Sequence, residues 1–197
     1  MAPEAPSTRG LILASASPRR RELLAQVGVA FDVEAAAIDE TPRSGEAAVD
    51  YVVRMAEEKA RAVARGHPEA TVIGADTSVV LDGRILGKPE NDSAARDMLS
   101  ALSGRQHQVM TAVALLKAGR LAHRLSRTEV DFAELTAGWI DGYIASGDPM
   151  DKAGAYGIQN AAGLKIRRIS GSYSGVVGLP LYETACLLEA AGVLTTA

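Results

Sequence analysis

The chain has 197 residues, 47% hydrophobic and 4% aromatic, with a formal net charge of −3 and one cysteine. That length fits one domain, or one domain of two lobes, with a sizeable core, and the near-neutral charge argues against a general nucleic-acid coat without excluding a local basic pocket. Lone Cys186 excludes an intramolecular disulfide and a Cys-rich zinc site; with no signal-like apolar region and no run near the ~20 apolar residues of a membrane span, a soluble cytoplasmic protein in a reducing compartment is expected.

Residues 1–10 read as a flexible tail and residues 11–197 as a single domain. Leu11 to Ala14 is a short apolar run, read as a buried strand. Ser17 is an N-cap and Pro18 suits the first helical position of a helix that Gly28 stops. Strand, tight turn and helix N-terminus together suit an anion. Phe31 to Ala36 reads as a second strand, followed by Asp39-Glu40. From Glu46 to Arg65, Val49, Val52, Val53, Ala56, Ala60 and Val63 recur at helical spacing, and Arg54, Glu57, Glu58, Lys59 and Arg61 occupy the other face.

Thr71 to Ala75 is an apolar strand that delivers Asp76 and Thr77 at its end, and Ser78 to Leu81 continues extended. Asp82-Gly83 predicts a hairpin turn. Asn91 to Leu102 reads as a capped helix ended by Gly104. Val109 to Leu116 and Leu121 to Phe132 form a strand pair around Gly119, and Thr136 to Ala145 is a weak helix. Ser146 to Gly163 is too turn-prone for a regular element and reads as a functional loop. Leu164 to Ile169 is a strand, and Pro180 to Ala191 closes the chain as a helix that places Cys186 in the core. The alternation gives an α/β class, and the pair around Gly119 makes the sheet mixed.

Five segments could carry chemistry. Arg19, Arg20 and Arg21 sit at a helix start, where the macrodipole is already positive. A bound polyanion resolves that conflict, since arginine forks suit phosphate oxygens; a solvated basic turn is the alternative. Asp76, after an apolar strand, is placed where open α/β sheets bind ligands and could hold a divalent cation or polarise a water, or simply begin a turn. Asp39-Glu40 could complete an oxygen-rich magnesium site or lie in a charged surface loop. Lys88, between Gly87 and Pro89, could put a point charge on a phosphate, but the spacing of a P-loop is absent. The run Asp148 to Gln159 offers glycines for a tight loop and an amide able to read a base edge, or a plain glycine-rich connection. His67, His107 and His123 show no metal-ligand spacing, and no aromatic–basic stripe marks single-strand binding.

Together, Ser15-Ala-Ser-Pro-Arg-Arg, Gly74-Ala-Asp-Thr, Gly87-Lys-Pro, Leu102-Ser-Gly, His107-Gln-Val-Met-Thr-Ala-Val, Asp151-Lys-Ala-Gly-Ala-Tyr-Gly-Ile-Gln and Gly171-Ser-Tyr with Val176-Val-Gly-Leu-Pro-Leu resemble one family in order and spacing. It is the Maf family of septum-formation-inhibitor-like nucleotide pyrophosphatases. The resemblance runs from about Leu11 to about Leu188. It implies an elongated mixed sheet with flanking helices around a central cleft, as in inosine triphosphate pyrophosphatases, and a homodimer. It implies cleavage of a nucleoside triphosphate to the monophosphate and pyrophosphate with a divalent cation, Mg²⁺ or Mn²⁺. Asp76 matches the family's proton acceptor. Arg19, Thr77 and Gln159 match positions of substrate specificity. Ser15, Arg20, Glu40, Lys59 and Lys88 match positions with phosphate, metal or catalytic roles; Glu40 and Asp76 are the expected metal ligands, and Lys88 and Glu40 are expected to join Asp76 in catalysis.

The Lys152-to-Gln159 form of the loop resembles members acting on dTTP and UTP rather than those acting on 7-methyl-GTP. Asn160-Ala-Ala-Gly-Leu-Lys165 departs from relatives that carry another glycine and aromatic residues, which widens the expected base preference. The implied role is limiting the incorporation of non-standard nucleotides, with a link to cell-division arrest. The rival readings are a nucleotide-binding regulator of septum formation with incidental hydrolysis and a nucleic-acid module, which the missing basic excess disfavours.

Overall fold

The computed structural model describes residues 10–195. Residues 1–9, nearly all of the expected tail, and residues 196–197 lie outside the described residues. The strands are β1 (Leu11–Ala14), β2 (Asp32–Glu34), β3 (Thr71–Leu81), β4 (Arg84–Leu86), β5 (Gln106–Lys117), β6 (Arg120–Phe132) and β7 (Ile166–Ser170). The helices are α1 (Pro18–Ala25), α2 (Ala48–Ala64), α3 (Asp92–Leu102), α4 (Ala137–Ala145), α5 (Tyr173–Val177) and α6 (Leu181–Ala190). They form the expected mixed α/β architecture: a seven-stranded sheet of order β2-β1-β3-β5-β6-β7, with β4 paired to β3. The pairs of β1 with β2 and β3 are parallel, and the others are antiparallel.

Strand β3 is the axis of the molecule. Its side chains alternate between faces, as strand geometry requires. Val72 and Val80 pack in a core with Val52, Ala56, Ala60 and Val63 of α2. Ile73 and Ala75 face a core made with Leu23, Leu24, Leu187 and Leu188 of α1 and α6. Farther along, Val79 and Leu81 join Leu99, Leu102, Ile140 and Tyr143 of α3 and α4. One edge of β3 is bonded continuously to β5 from Val72 to Val80. The other edge pairs with β1 only as far as Gly74 and with β4 only from Val79. Residues 75–78 therefore lie in a gap between two neighbouring strands. Asp76 is thus mid-strand rather than at the end of β3; the strand end that it does lie beyond belongs to β1. The run Ser78-Val-Val-Leu has the β-branched character that lets β3 continue past that point.

Local signals explain most boundaries. Ser17 caps α1 by accepting from the Arg20 N–H, and Asn91 caps α3 by accepting from Ala94. Asp82 and Gly83 both have positive φ, 51° and 77°, in the hairpin joining β3 to β4. Strand β2 is shorter than predicted because it pairs only with the four residues of β1. The sequence reading missed α5, whose five residues are too few to show a period. The loop after α4 contains three short 3₁₀ turns and no longer element. Cys186 is half-buried rather than in the core.

One core residue links the fold to pH. His107 is 3% exposed, lies against Phe132 at a ring separation of 5.3 Å, and meets the Tyr156 hydroxyl at 2.7 Å. Burial lowers its pKa to about 4, with Asp131 opposing weakly. The unfolded chain therefore takes up this proton first. The contribution is complete above about pH 6.5 and is lost as pH falls toward 4, a difference of roughly 3 kcal/mol. We expect His107→Gln to flatten the acid limb of stability in urea unfolding between pH 7 and 4.5. An unchanged slope would show that His107 does not drive it.

Candidate active site

The gap beside residues 75–78 opens into a cleft of about 760 Å³. Its walls are the β1–α1 turn, the Gly87-Lys88 segment after β4, the loop before β7 and the segment ending at Gly178. All nine residues expected at the site, Ser15, Arg19, Arg20, Glu40, Lys59, Asp76, Thr77, Lys88 and Gln159, line this cleft.

Alternation along β3 sends Asp76 and Thr77 to opposite faces. Asp76 faces α2 and is 7% exposed. Its Oδ1 accepts from Lys59 Nζ at 2.7 Å, and the same ammonium lies 2.9 Å from Glu40 Oε1. A buried acid beside a buried base satisfies the rule that buried charges are paired. Lys59 thus departs from the charged outer face that helical spacing gave it. The partner that draws it inward comes from another strand, which α2 alone does not reveal. Glu40 is pushed up by partial burial, but the bond and charge of Lys59, helped by Lys88 and Arg20, outweigh this and hold it below its ordinary value. Tyr51 donates to the Glu40 carbonyl at 2.9 Å. Burial, with the charges of Asp76 and Glu40, raises the Tyr51 phenol to about 12.

Thr77 faces α1. Arg20 turns inward, donating from Nε to the Gly178 carbonyl at 2.8 Å and from an Nη to Thr77 Oγ1 at 3.1 Å. Burial lowers its pKa, against the raising charges of Asp76 and Glu40; a guanidinium nonetheless stays charged. The Thr111 hydroxyl donates to the Gly175 carbonyl at 2.7 Å and lies 3.0 Å from that of Thr77. Ser15 is buried, and its Oγ accepts from the Ser17 N–H at 3.1 Å. Arg19 bonds Asp151 at 3.2 Å on the cleft rim. Arg21 is exposed and does not line the cleft. Successive residues on a helix point ~100° apart, so three adjacent arginines do not make one patch.

The acidic pair also separates. Glu40 reaches the cleft, whereas the Asp39 carboxylate accepts from the Thr41 N–H at 2.9 Å in a local turn. Lys88 and Gln159 are exposed cleft residues on two different segments of the wall. The walls are tied where Gly154 N–H donates to the Gly87 carbonyl at 3.0 Å. Lys152 is buried at 8% exposure and gives its ammonium to the Asp148 carbonyl at 2.7 Å, to Asp148 Oδ1 at 3.2 Å and to Asp151 Oδ1 at 2.5 Å. Its three donors are spent, so it holds the loop and has none left for a ligand. The sequence gives no role to Tyr51, Thr111 or Asn160, although Thr111, inside the His107-to-Val113 motif, and Asn160, beside Gln159, carried a signal that could have found them.

The donors also bear on a metal ion. Among the described residues, no three His, Cys, Asp or Glu side chains gather as a cage. Glu40 and Asp76 present two carboxylates that meet at Lys59, each leaving an oxygen that Lys59 does not take. That set fits a magnesium-like ion, which is typically held by one or two carboxylates plus phosphate and water.

Comparison with known proteins places the chain in a family. The family described as Maf-like protein matches residues 10–191. A protein of Colwellia psychrerythraea named dTTP/UTP pyrophosphatase is 54% identical over 191 residues, covering 94% of this chain and 90% of its own. Proteins of that name from Myxococcus xanthus and Escherichia coli O157:H7 are 55% and 54% identical, covering 93% and 91% of each chain respectively. A cleft built from these motifs, a family match from residue 10 to residue 191 and relatives at such identity carry one conclusion: the chain belongs to the Maf-like protein family.

Proposed function

We infer that this protein is a nucleoside triphosphate pyrophosphatase that hydrolyses dTTP and UTP to the monophosphate and pyrophosphate. The observation that carries the chemistry is the buried Asp76, paired with Lys59 in a cleft that also holds Arg19, Arg20 and Lys88. The relatives named dTTP/UTP pyrophosphatase support the substrate.

Water attacks the α-phosphorus, the bond from that phosphorus to the bridging oxygen breaks, and pyrophosphate leaves. Asp76 accepts the water's proton, its carboxylate held in place by Lys59. Arg19, Arg20 and Lys88 neutralise the triphosphate and the charge growing on the leaving group. Arg20 enters this role already oriented by Gly178 and Thr77. Glu40 and Asp76 would hold Mg²⁺ or Mn²⁺, which neutralises phosphate charge and acidifies bound water. Gln159 reads the pyrimidine edge with an amide that both donates and accepts, and Thr77 contributes to the same selection.

The cell-level role that follows is removal of non-standard nucleotides, in the cytoplasm. No helix of the described residues is long and apolar enough to cross a membrane. A homodimer is supported by large apolar side chains left exposed, Leu164 at 86%, Tyr173 at 51% and Tyr182 at 76%.

The deciding experiment measures pyrophosphate release across natural and modified nucleoside triphosphates, with and without divalent cation. We expect dTTP and UTP to lead, and chelation to abolish turnover with activity returning on Mg²⁺ or Mn²⁺. A chain that binds nucleotide but releases no pyrophosphate would favour a regulatory binding protein instead.

A further inference from the structure

Gln159 lies in a four-residue span, Gly157 to Asn160, and one carboxylate outside the span reaches both of its ends. At the first end, the Gly157 N–H donates to the Tyr143 hydroxyl at 3.3 Å. That hydroxyl in turn donates to Asp148 Oδ2. At the second end, the Asn160 side-chain amide donates to Asp148 Oδ1, which also accepts from Lys152 at 3.2 Å. The two oxygens of Asp148 thus serve the two ends separately.

Asp148 is itself well fixed. Its N–H donates to Ser146 Oγ at 3.3 Å, its carbonyl accepts from Lys152 at 2.7 Å, and buried Pro149 follows it. Tyr143 is buried in the core on α4. The span also closes on itself, because Asn160 N–H donates to the Gly157 carbonyl at 3.3 Å. Gln159 is exposed in the cleft, whereas Gly157 is tied to the core residue Tyr143 and Asn160 to Asp148.

We propose that the Asp148 carboxylate staples the Gly157–Asn160 span through Tyr143 and Asn160, making Asp148 and Asn160 positioning residues that set base selectivity. An amide can discriminate a base edge only if its backbone is held to a fraction of an ångström. Asn160 lines the cleft beside Gln159, and Asp148 does not line it. The proposal rests on the reading that Gln159 contacts the base.

The test compares kcat/KM for UTP and GTP in four proteins: the parent chain, Asn160→Ala, Tyr143→Phe and Gln159→Ala. Inhibition of UTP hydrolysis by inorganic tripolyphosphate reports the phosphate end alone. Asn160→Ala removes one hydrogen bond of the staple and Tyr143→Phe removes two, and we expect the UTP-over-GTP preference to fall at least about fivefold in each, mainly through KM for UTP. Tripolyphosphate inhibition should stay within twofold. The staple is overturned if Gln159→Ala shifts the preference and both staple variants leave it unmoved. It is equally overturned if tripolyphosphate affinity falls in step with that for UTP, since the defect is then general. An unmoved preference in Gln159→Ala removes the base-reading role itself, and the staple's function with it.

Discussion

Asp76→Asn lowers kcat for UTP hydrolysis by at least ~10²-fold and leaves the protein folded, the usual scale for loss of a general base. The substitution keeps the size and shape of a side chain that is 7% exposed. Its oxygen can still accept from Lys59, now at 2.7 Å from the carboxylate. What it loses is the capacity to take up a proton. The electrostatic consequence for the fold is limited because Lys59 keeps Glu40 at 2.9 Å as a charged partner. Removing one member of a buried pair is otherwise costly when it strands the other charge. Pyrophosphate release and thermal unfolding measured on the same preparation separate the two effects. A near-parental kcat would eliminate Asp76 as the base.

The second large effect is on stability. At Gly74, an added Cβ would sit 2.2 Å from the Ala56 carbonyl oxygen and 2.7 Å from the Ala60 nitrogen. Both are backbone atoms of α2, so no side-chain rotation relieves the clash. The helix must lift from the sheet, or β3 must sink from it. Gly74→Ala should destabilise by about 3 kcal/mol, at the upper end for overpacking. For a chain of this size that lowers Tm by roughly 6–12 °C. Because α2 also carries Lys59, displacement of the helix should raise KM or lower kcat as well. An unchanged Tm would mean that helix and strand separate more freely than their spacing suggests.

The sequence made the elements legible wherever a local rule determines them. Apolar runs marked β1 and β3, Ser17 and Asn91 marked helix starts, and Asp82-Gly83 marked a hairpin. Motif order brought nine residues to one site, and the cleft contains all nine. What stayed hidden depended on partners distant in the chain. By helical spacing alone Lys59 reads as one more surface charge, because Asp76 is 17 residues away on another element, and only the family resemblance marks it. Arg20 and Arg21 were alike as letters and differ only in which side of α1 they occupy. Thr111 lies inside the His107-to-Val113 motif, but nothing local shows its role, since its hydroxyl acts through Gly175, 64 residues later. Tyr143 likewise reads as core, and only its hydroxyl joins it to the site.

The interrupted edge of β3 has a metric consequence. Ladder register fixes where β1 stops, at Gly74, and where β4 begins, at Val79. Five residue steps of extended chain span roughly 17 Å. The strand therefore serves as a ruler whose two end marks are backbone hydrogen bonds rather than side chains. Changes in the surrounding loops can reshape the walls of the cleft, but not the length of the gap along β3. Lengthening that gap would require moving one of the end marks, which means re-registering a strand.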